Sequence, residues 1–494
     1  MNVTYGSAGR WRAPVALAAL LAILGACAGT PQATAPPSAA PSVAPSESPL
    51  AVTPEPVETT DTGLTADGKV LIRWFVGLGT GGNPEQIAAQ QAVVQAFNSS
   101  QDRIRLSLEI YQNDTAYDIL STQIAAGRPP DIIGPVGFRG FYAYRDNLLD
   151  LGPLITKTGY DLSGIDPALI DVYRKGFPGQ VGIPFAIFPS FLYINKDLFD
   201  EAGLPYPPQK VGEPYQGKPW DFAALTEIAK KLTVDGEGND ATAAAFDPDD
   251  IVQFGYVMQW TDPRGWGTQF GAGSLVADDG RTAQIPDHWR AAWKWYYDGM
   301  WSDHFIPNQA YMDSDLLANG NPFQSGNVAI DWVHLWYTCC IIPPDGKPIV
   351  KNWDIAVPPA YNGTTTAKLH ADSFAIMKAT KHPDEAFEAL TFLLNSDELF
   401  KAYGALPAVK SKQAAFFAAL DEKFAPNKVN WQVALDMLGY PDVPSHEADM
   451  PNFLKANNAV GAFQTKMTGT EGLNMDQEID ALRAELQSIF DEVR

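Results

Sequence analysis

Residues Gly182 to Pro207 read GIPFAIFPSFLYINKDLFDEAGLPYP, and the order of elements inside them constrains the rest of the chain. The first half is an extended apolar run broken by Pro184 and Pro189 and ending in the bulky, strand-favouring Phe191, Leu192, Tyr193 and Ile194. Asn195 stops the strand and suits the N-cap of a short helix, which then runs to Gly203 and meets Pro205 and Pro207. A buried strand passing directly into a capped helix reads as a crossover between two α/β lobes rather than as a surface hairpin.

Upstream, Lys69 to Val76 predicts a buried strand, Glu85 to Phe97 a helix, and Ile104 to Ile110 a second strand of alternating character. A helix over Tyr117–Ala126 stops at Gly127 before Pro129-Pro130, and Asp131 to Ile133 begins a third strand. This β-α-β-α-β order implies a parallel sheet with its ligand edge at the carboxyl ends of the strands. Between the first strand and its helix, GLGTGG (77–82) fits the dinucleotide pattern GxGxxG. The fit is formal only. Asn83 and Pro84 place the helix start after the third glycine, outside the helix it should pack against. A loop whose backbone approaches a ligand is the preferred reading.

At 494 residues the chain suits two or three lobes, and a net charge of −23 argues against nucleic acid or an anionic membrane as main partner. Arg10 and Arg12 followed by the apolar run Val15–Leu24 read as an export signal over residues 1–27. Leu24-Gly25-Ala26-Cys27 looks like a bacterial lipobox, with Cys27 as the lipidated residue. Residues 28–65 are rich in Pro, Ala, Ser and Thr, so a disordered tether is expected there. No later stretch is long and apolar enough to span a bilayer.

Downstream, a helix is expected from Trp220-Asp221-Phe222 to Leu232, and a strand from Phe254 to Met258 followed by an aromatic-rich loop, Trp260 to Trp266. Asp235–Asp240 resembles a calcium loop but lacks glycine at its sixth position and carries Phe246 at the twelfth, so a solvated turn is preferred. The helix His288–Met300 carries Trp289, Trp293, Trp295, Tyr296 and Tyr297 at core spacing. Cys339 and Cys340 are adjacent; two buried thiols are preferred over a vicinal disulfide. Strands are expected at 353–358 and 373–377 and a helix at 382–394, with helices after Gln413 packing mainly on the second lobe.

Tyr193-Ile194-Asn195-Lys196-Asp197-Leu198-Phe199 and Glu201-Ala202-Gly203-Leu204-Pro205 resemble the LYYNKDLFEEAGLP signature of extracellular solute-binding proteins of ABC transporters. The likeness is to the sugar-binding family that includes maltose-binding protein. It extends patchily over residues 69–494, through Gly127-Arg128-Pro129-Pro130-Asp131-Ile132-Ile133, Trp220-Asp221, Gly326–Trp332 and Leu406-Pro407-Ala408-Val409. The resemblance implies a two-lobed periplasmic-binding-protein fold of class α/β. Each lobe would be a mixed, mostly parallel sheet flanked by helices. Lobe one would comprise 66–190 and 355–410, lobe two 191–354 and 411–494, with hinge crossovers near 186–192 and 355–370. It also implies a carbohydrate ligand, an ABC permease as partner, and an extracytoplasmic address at a membrane through the lipid anchor. A monomer without cofactor or metal is expected.

No H-E-x-x-H, G-x-S-x-G or metal-spaced Cys/His cluster appears, and the six histidines are scattered. Paired carboxylates are a tertiary matter in a chain with 58 Asp plus Glu, so a surface-tethered glycoside hydrolase stands as the alternative to a non-enzymatic binder. Sugars offer apolar C–H faces and hydroxyl edges, which aromatic rings and carboxylates or amides satisfy. Such residues fall at expected strand ends: Trp74, Phe75, Asn113, Asp114, Phe188, Ser190, Trp260, Asp262, Trp266 and Asp372. The resemblance adds Trp332 and Trp336, and places Trp74, Phe188 and Asp372 beside cleft-lining segments.

Overall fold

A computed structural model describes residues 63–343 and 345–493. The export signal, Cys27 and nearly all of the tether lie outside the described residues. The strands in chain order are β1 (Val70–Val76), β2 (Ile104–Ile110), β3 (Ile132–Val136), β4 (Ile183–Asn195), β5 (Val234–Asp235), β6 (Ile251–Met258), β7 (Val328–His334), β8 (Trp353–Ala356), β9 (Ala360–Tyr361), β10 (Thr364–Thr365), β11 (Leu369–Ile376) and β12 (Leu406–Pro407). Ten of them form one sheet ordered β2-β1-β3-β11-β4-β7-β6-β5, with β8 and β12 also paired to β4.

The β2-β1-β3 and β7-β6 ladders of this sheet are parallel, as the alternation of strands and helices requires, and β5 adds to the edge antiparallel to β6. β1 pairs with β2 from Val70↔Ile104 to Val76↔Ile110, and with β3 on its other side. The helix Pro84–Ser100 makes the first crossover. At the far end β6 pairs in parallel with β7. β11 and β4 join the two ends and are antiparallel to their neighbours.

β4 is the element that unites the molecule. All thirteen of its residues are buried. Residues 183–189 pair with β11 and β12, whereas Ser190–Asn195 pair with β7 and β8. One strand therefore serves both halves of a two-lobed α/β architecture, changing partners at Pro189-Ser190. The chain returns between β8 and β11, where Ser190 N donates to Lys368 O at 2.9 Å. The β4–β11 ladder shifts register between Asp372 and Ser373, which face Ala186 and Pro184. Proline lacks the donor a regular ladder needs, and a bulge there turns the Asp372 side chain out of the regular alternation.

Several expectations change in detail. The segment after β6 is not an open loop throughout, because Pro263–Thr268 is a short helix capped by Asp262. Asp235 accepts from the backbone N–H groups of Glu237, Asn239 and Asp247, closing its turn on itself. The helices Phe453–Gly469 and Met475–Asp491 pack on Asp287–Trp301, with Trp293 against Phe463 at 5.0 Å. The helix Gln413–Lys423 instead rests on β12, beside the first half of β4. Among the described residues no helix is long and apolar enough to cross a membrane.

Candidate functional site

A cavity of about 660 Å³ opens at the carboxyl ends of β1, β2, β3, β6 and β7. Its rim begins with the loop after β1, where Leu78, Gly79, Thr80 and Gly82 line the wall. Gly81 has φ +102°, and a Cβ there would fall on Val76 Cγ1. Its N–H donates to Gln86 Oε1 at 2.9 Å, and its carbonyl accepts from Gln90 Nε2 at 2.9 Å. The buried glutamines of the following helix thus pin the glycine loop so that its backbone faces the cavity.

Aromatic side chains form a second part of the wall. Trp336 sits in the 3₁₀ turn Leu335–Cys339 after β7 and lies flat on His334, ring centres 4.0 Å apart. Phe188 of β4 meets it edge-on at 5.4 Å. Trp260, at φ +52° and 47% exposed, stands edge-on to Tyr337. Tyr117 lies under the Arg139 guanidinium, 4.5 Å from its ring centre, and both residues line the cavity. Cys339, also on the wall, is joined to Cys340 in a vicinal disulfide, so the expectation of two free thiols is corrected. The tight turn that ends at Cys339 brings the neighbouring sulfurs together.

The polar groups divide into committed and uncommitted ones. Asp262 accepts from Arg264 N at 2.8 Å, Gly265 N at 3.2 Å and Arg264 Nη2 at 2.9 Å. Burial pushes its carboxyl up, but the guanidinium and the backbone N–H groups outweigh that and hold it below the usual range. Arg264 is itself buried and reaches Asn457 Oδ1 at 2.8 Å. Asp372, at the bulge, has no hydrogen-bond partner among the described residues, and burial followed by the charge of Glu447 pushes it up to about 7. Asn113, Gln464, Asn83 and Gln86 complete the amide lining.

Histidines scattered in sequence meet at the base of the cavity. Asp442 Oδ2 accepts from His446 N at 2.8 Å and lies 2.7 Å from His446 Nδ1. His446 Nε2 is 2.8 Å from His370 Nε2, and His370 Nδ1 is 3.6 Å from Glu447 Oε2. The fully buried His334 has no hydrogen bond at either ring nitrogen. Lys368 Nζ and both oxygens of Asp331 are likewise buried without partners. Burial pushes Lys368 down to about 7 and Asp331 well up. One ligand atom from each of His334, His370 and His446 lies within 4.8 Å of the others.

Of the residues singled out from sequence, Asn113, Phe188, Trp260, Asp262, Trp336 and Asp372 lie on the cavity wall. The others lie elsewhere. Trp74 is buried in β1 and donates to Gly134 O at 2.7 Å, and Phe75 stacks on Tyr111. Ser190 and Trp332 are fully buried partners, joined by an Nε1–H to Oγ bond of 3.1 Å. Trp266 stacks on Tyr296 inside the second half. Asp114 is exposed next to Asn113, which is the lining residue of that turn. The reason is cover: Trp74 and Phe75 point to opposite sides of β1 and both sides are buried, Trp266 turns inward on its short helix, and Asp114 lies in a turn, so a strand-end position does not specify which side chain looks into the cavity. Sequence reasoning missed Tyr117, Arg139, His370, Tyr403, His446 and Glu447. Only Asp442 and His446, four apart and flanked by prolines, carry a local signal.

The model of the family described as "Bacterial extracellular solute-binding protein" matches residues 82–398. An uncharacterized lipoprotein of Streptomyces antibioticus is 29% identical over 184 residues, 35% of this chain and 36% of that protein's length. Among solved structures, the Listeria monocytogenes ABC substrate-binding protein Lmo0181 in complex with cycloalternan superposes with a TM-score of 0.65. It is 18% identical and covers 85% of this chain and 98% of its own. The maltose/maltodextrin-binding domain MalE of Bdellovibrio bacteriovorus, bound to maltotriose, gives 0.63 at 15% identity, covering 86% and 99%.

Proposed function

This chain belongs to the bacterial extracellular solute-binding protein family, and on that premise we propose that it captures a carbohydrate in the cavity and delivers it unchanged to an ABC permease. The observation that carries the reading is the composition of the wall. Aromatic rings from both halves of the sheet (Tyr117, Phe188, Trp260, Trp336) alternate with Asp372, Glu447, Asn113 and Gln464. Such a wall matches the apolar faces and hydroxyl edges of a sugar. The solved relatives holding cycloalternan and maltotriose support the same class of ligand.

In this reading the chain is held outside the cytoplasmic membrane by lipid on Cys27, with residues 28–65 as the tether. The lobes are 66–190 with 355–410 and 191–354 with 411–494. Ligand touching both lobes favours a closed form through its differential contacts, and that form docks on the permease.

Calorimetric titration against a panel of neutral mono- and oligosaccharides, with small-angle scattering on the same samples, tests the proposal. Saturable binding with compaction and unchanged sugar is expected. Hydrolysis products without compaction would replace it with a tethered glycoside hydrolase, and neither response would remove both readings.

A further inference from the structure

We propose that the base of the cavity is a binding site for a first-row divalent transition metal, held by His334, His370 and His446, with a coordination position open to the cavity. Four features lead there independently of the sugar reading. Three neutral imidazoles suit Zn²⁺, Co²⁺ or Ni²⁺, whose bonds of about 2.0–2.1 Å to nitrogen set tetrahedral ligand atoms about 3.3 Å apart. The three ligand atoms already lie within 4.8 Å of one another, one pair being 2.8 Å apart, so small ring rotations suffice.

The hydrogen bonds around the rings also leave a place that a cation would fill. Asp442 at 2.7 Å fixes the His446 proton on Nδ1 and leaves a lone pair at Nε2. If the His370 proton is on Nδ1, facing Glu447 Oε2 at 3.6 Å, two lone pairs confront each other at 2.8 Å. If it is on Nε2, the His370 Nδ1 lone pair faces the carboxylate instead. That second arrangement makes the 2.8 Å hydrogen bond and leaves only the 3.6 Å contact unfavourable, whereas a metal on the two Nε2 atoms lets both rings keep their protons on Nδ1, toward the carboxylates.

His334 supplies the third feature. It ends β7 beneath Trp336, makes an edge-on approach to His370 at 4.7 Å, and leaves both nitrogens unpartnered although fully buried. A buried polar group without a partner is costly, and ligation would supply one. Finally, Asp442 hydrogen-bonded behind His446 forms the carboxylate–histidine arrangement that orients metal ligands, and Glu447 stands 3.6 Å behind His370. Of the cations beside the cluster, Lys368 faces the carboxylates of Asp442, Asp262, Glu447 and Asp331, and Arg264 is paired with Asp262. His370 and His446 line the cavity, so the free position faces solvent or a donor atom of the ligand.

The test is titration of the purified full-length protein, stripped with chelator, with Co²⁺ and then Zn²⁺ at neutral pH. One Co²⁺ per chain is expected, with the visible absorption of four- or five-coordinate nitrogen ligation, displaced by Zn²⁺. His334→Ala should weaken Zn²⁺ at least tenfold, and Asp442→Asn roughly 10–100-fold. Zinc should raise the melting temperature of the stripped parent but not of a His370→Gln/His446→Gln variant. Wild-type protein that binds no stoichiometric metal, or binds it as tightly as that variant does, overturns the site. Nitrogen NMR showing one proton shared by His370 and His446, unmoved by metal, overturns it equally and identifies the proton as the cation. Sugar titrations on the stripped chain are read separately, so loss of one reading leaves the other standing.

Discussion

Trp336 and Trp332 are four residues apart and chemically identical, yet only one faces the cavity. Trp336 lines it and rests on His334, whereas Trp332 is fully buried with its Nε1–H on Ser190 Oγ. Trp336→Ala is expected to weaken sugar binding about ten- to a hundredfold, the range of an anchoring aromatic. Trp332→Phe should change affinity less than threefold and cost roughly 1 kcal/mol of stability through the lost hydrogen bond. Calorimetry and urea unfolding on both variants check the pair, and equal loss of affinity would place Trp332 in the site. At Gly81 the requirement is backbone geometry, since φ is +102° and a Cβ would strike Val76. Gly81→Ala should destabilise by about 1–3 kcal/mol and displace the loop, measurable as a lower urea midpoint together with weaker binding.

At the scale of elements, the helix Pro263–Thr268 is held by a buried charge rather than by its length. Arg264 joins Asp262 at its start to Asn457 of the helix Phe453–Gly469. Arg264→Met removes one partner and leaves the Asp262 carboxylate in a site built for its counter-ion, so a loss of about 3–5 kcal/mol is expected in denaturant unfolding. Binding should weaken as well, because Trp260 and Thr261 hang from the same turn. The strands were legible in the sequence at this scale. β1, β4 and β7 are runs rich in β-branched and aromatic residues with a Gly or Asn at one end or both, and β2 alternates apolar and polar residues throughout; both signals are local. The helix after Asp262 was read as an aromatic-rich loop, although Asp262 at the N-cap and Pro263 at the first position are a local start signal.

For the molecule as a whole, β4, the return segment 357–368 and the chain after the helix Gln413–Lys423 connect the two halves. If the halves close on ligand, bending concentrates where β4 changes partners at Pro189-Ser190. The radius of gyration from scattering should fall on adding a bound sugar and stay constant with one that is not bound. The sheet itself should persist, so far-ultraviolet circular dichroism is expected to remain unchanged through the same titration. A change in secondary structure would point to local unfolding instead of hinge motion.

Sequence by itself determined the strand and helix order, the strand running directly into a helix at 183–201 (though the Asn195 side chain donates to Gly326 O rather than capping it), the glycine loop ahead of Asn83, and the resemblance those motifs carry. Each is a property of neighbours in the chain: side-chain periodicity, caps, and backbone freedom at glycine. Tertiary structure alone decided which neighbouring side chains face the cavity, and so separated Trp336 of the 3₁₀ turn from Trp332 inside β7, and Asn113 from Asp114 in the turn after β2. It also brought His334, His370 and His446 together from three distant segments. The physical reason is that burial and coordination depend on which surfaces meet in space, and a linear spacing of 36 or 76 residues carries no distance information once the chain has folded back on itself.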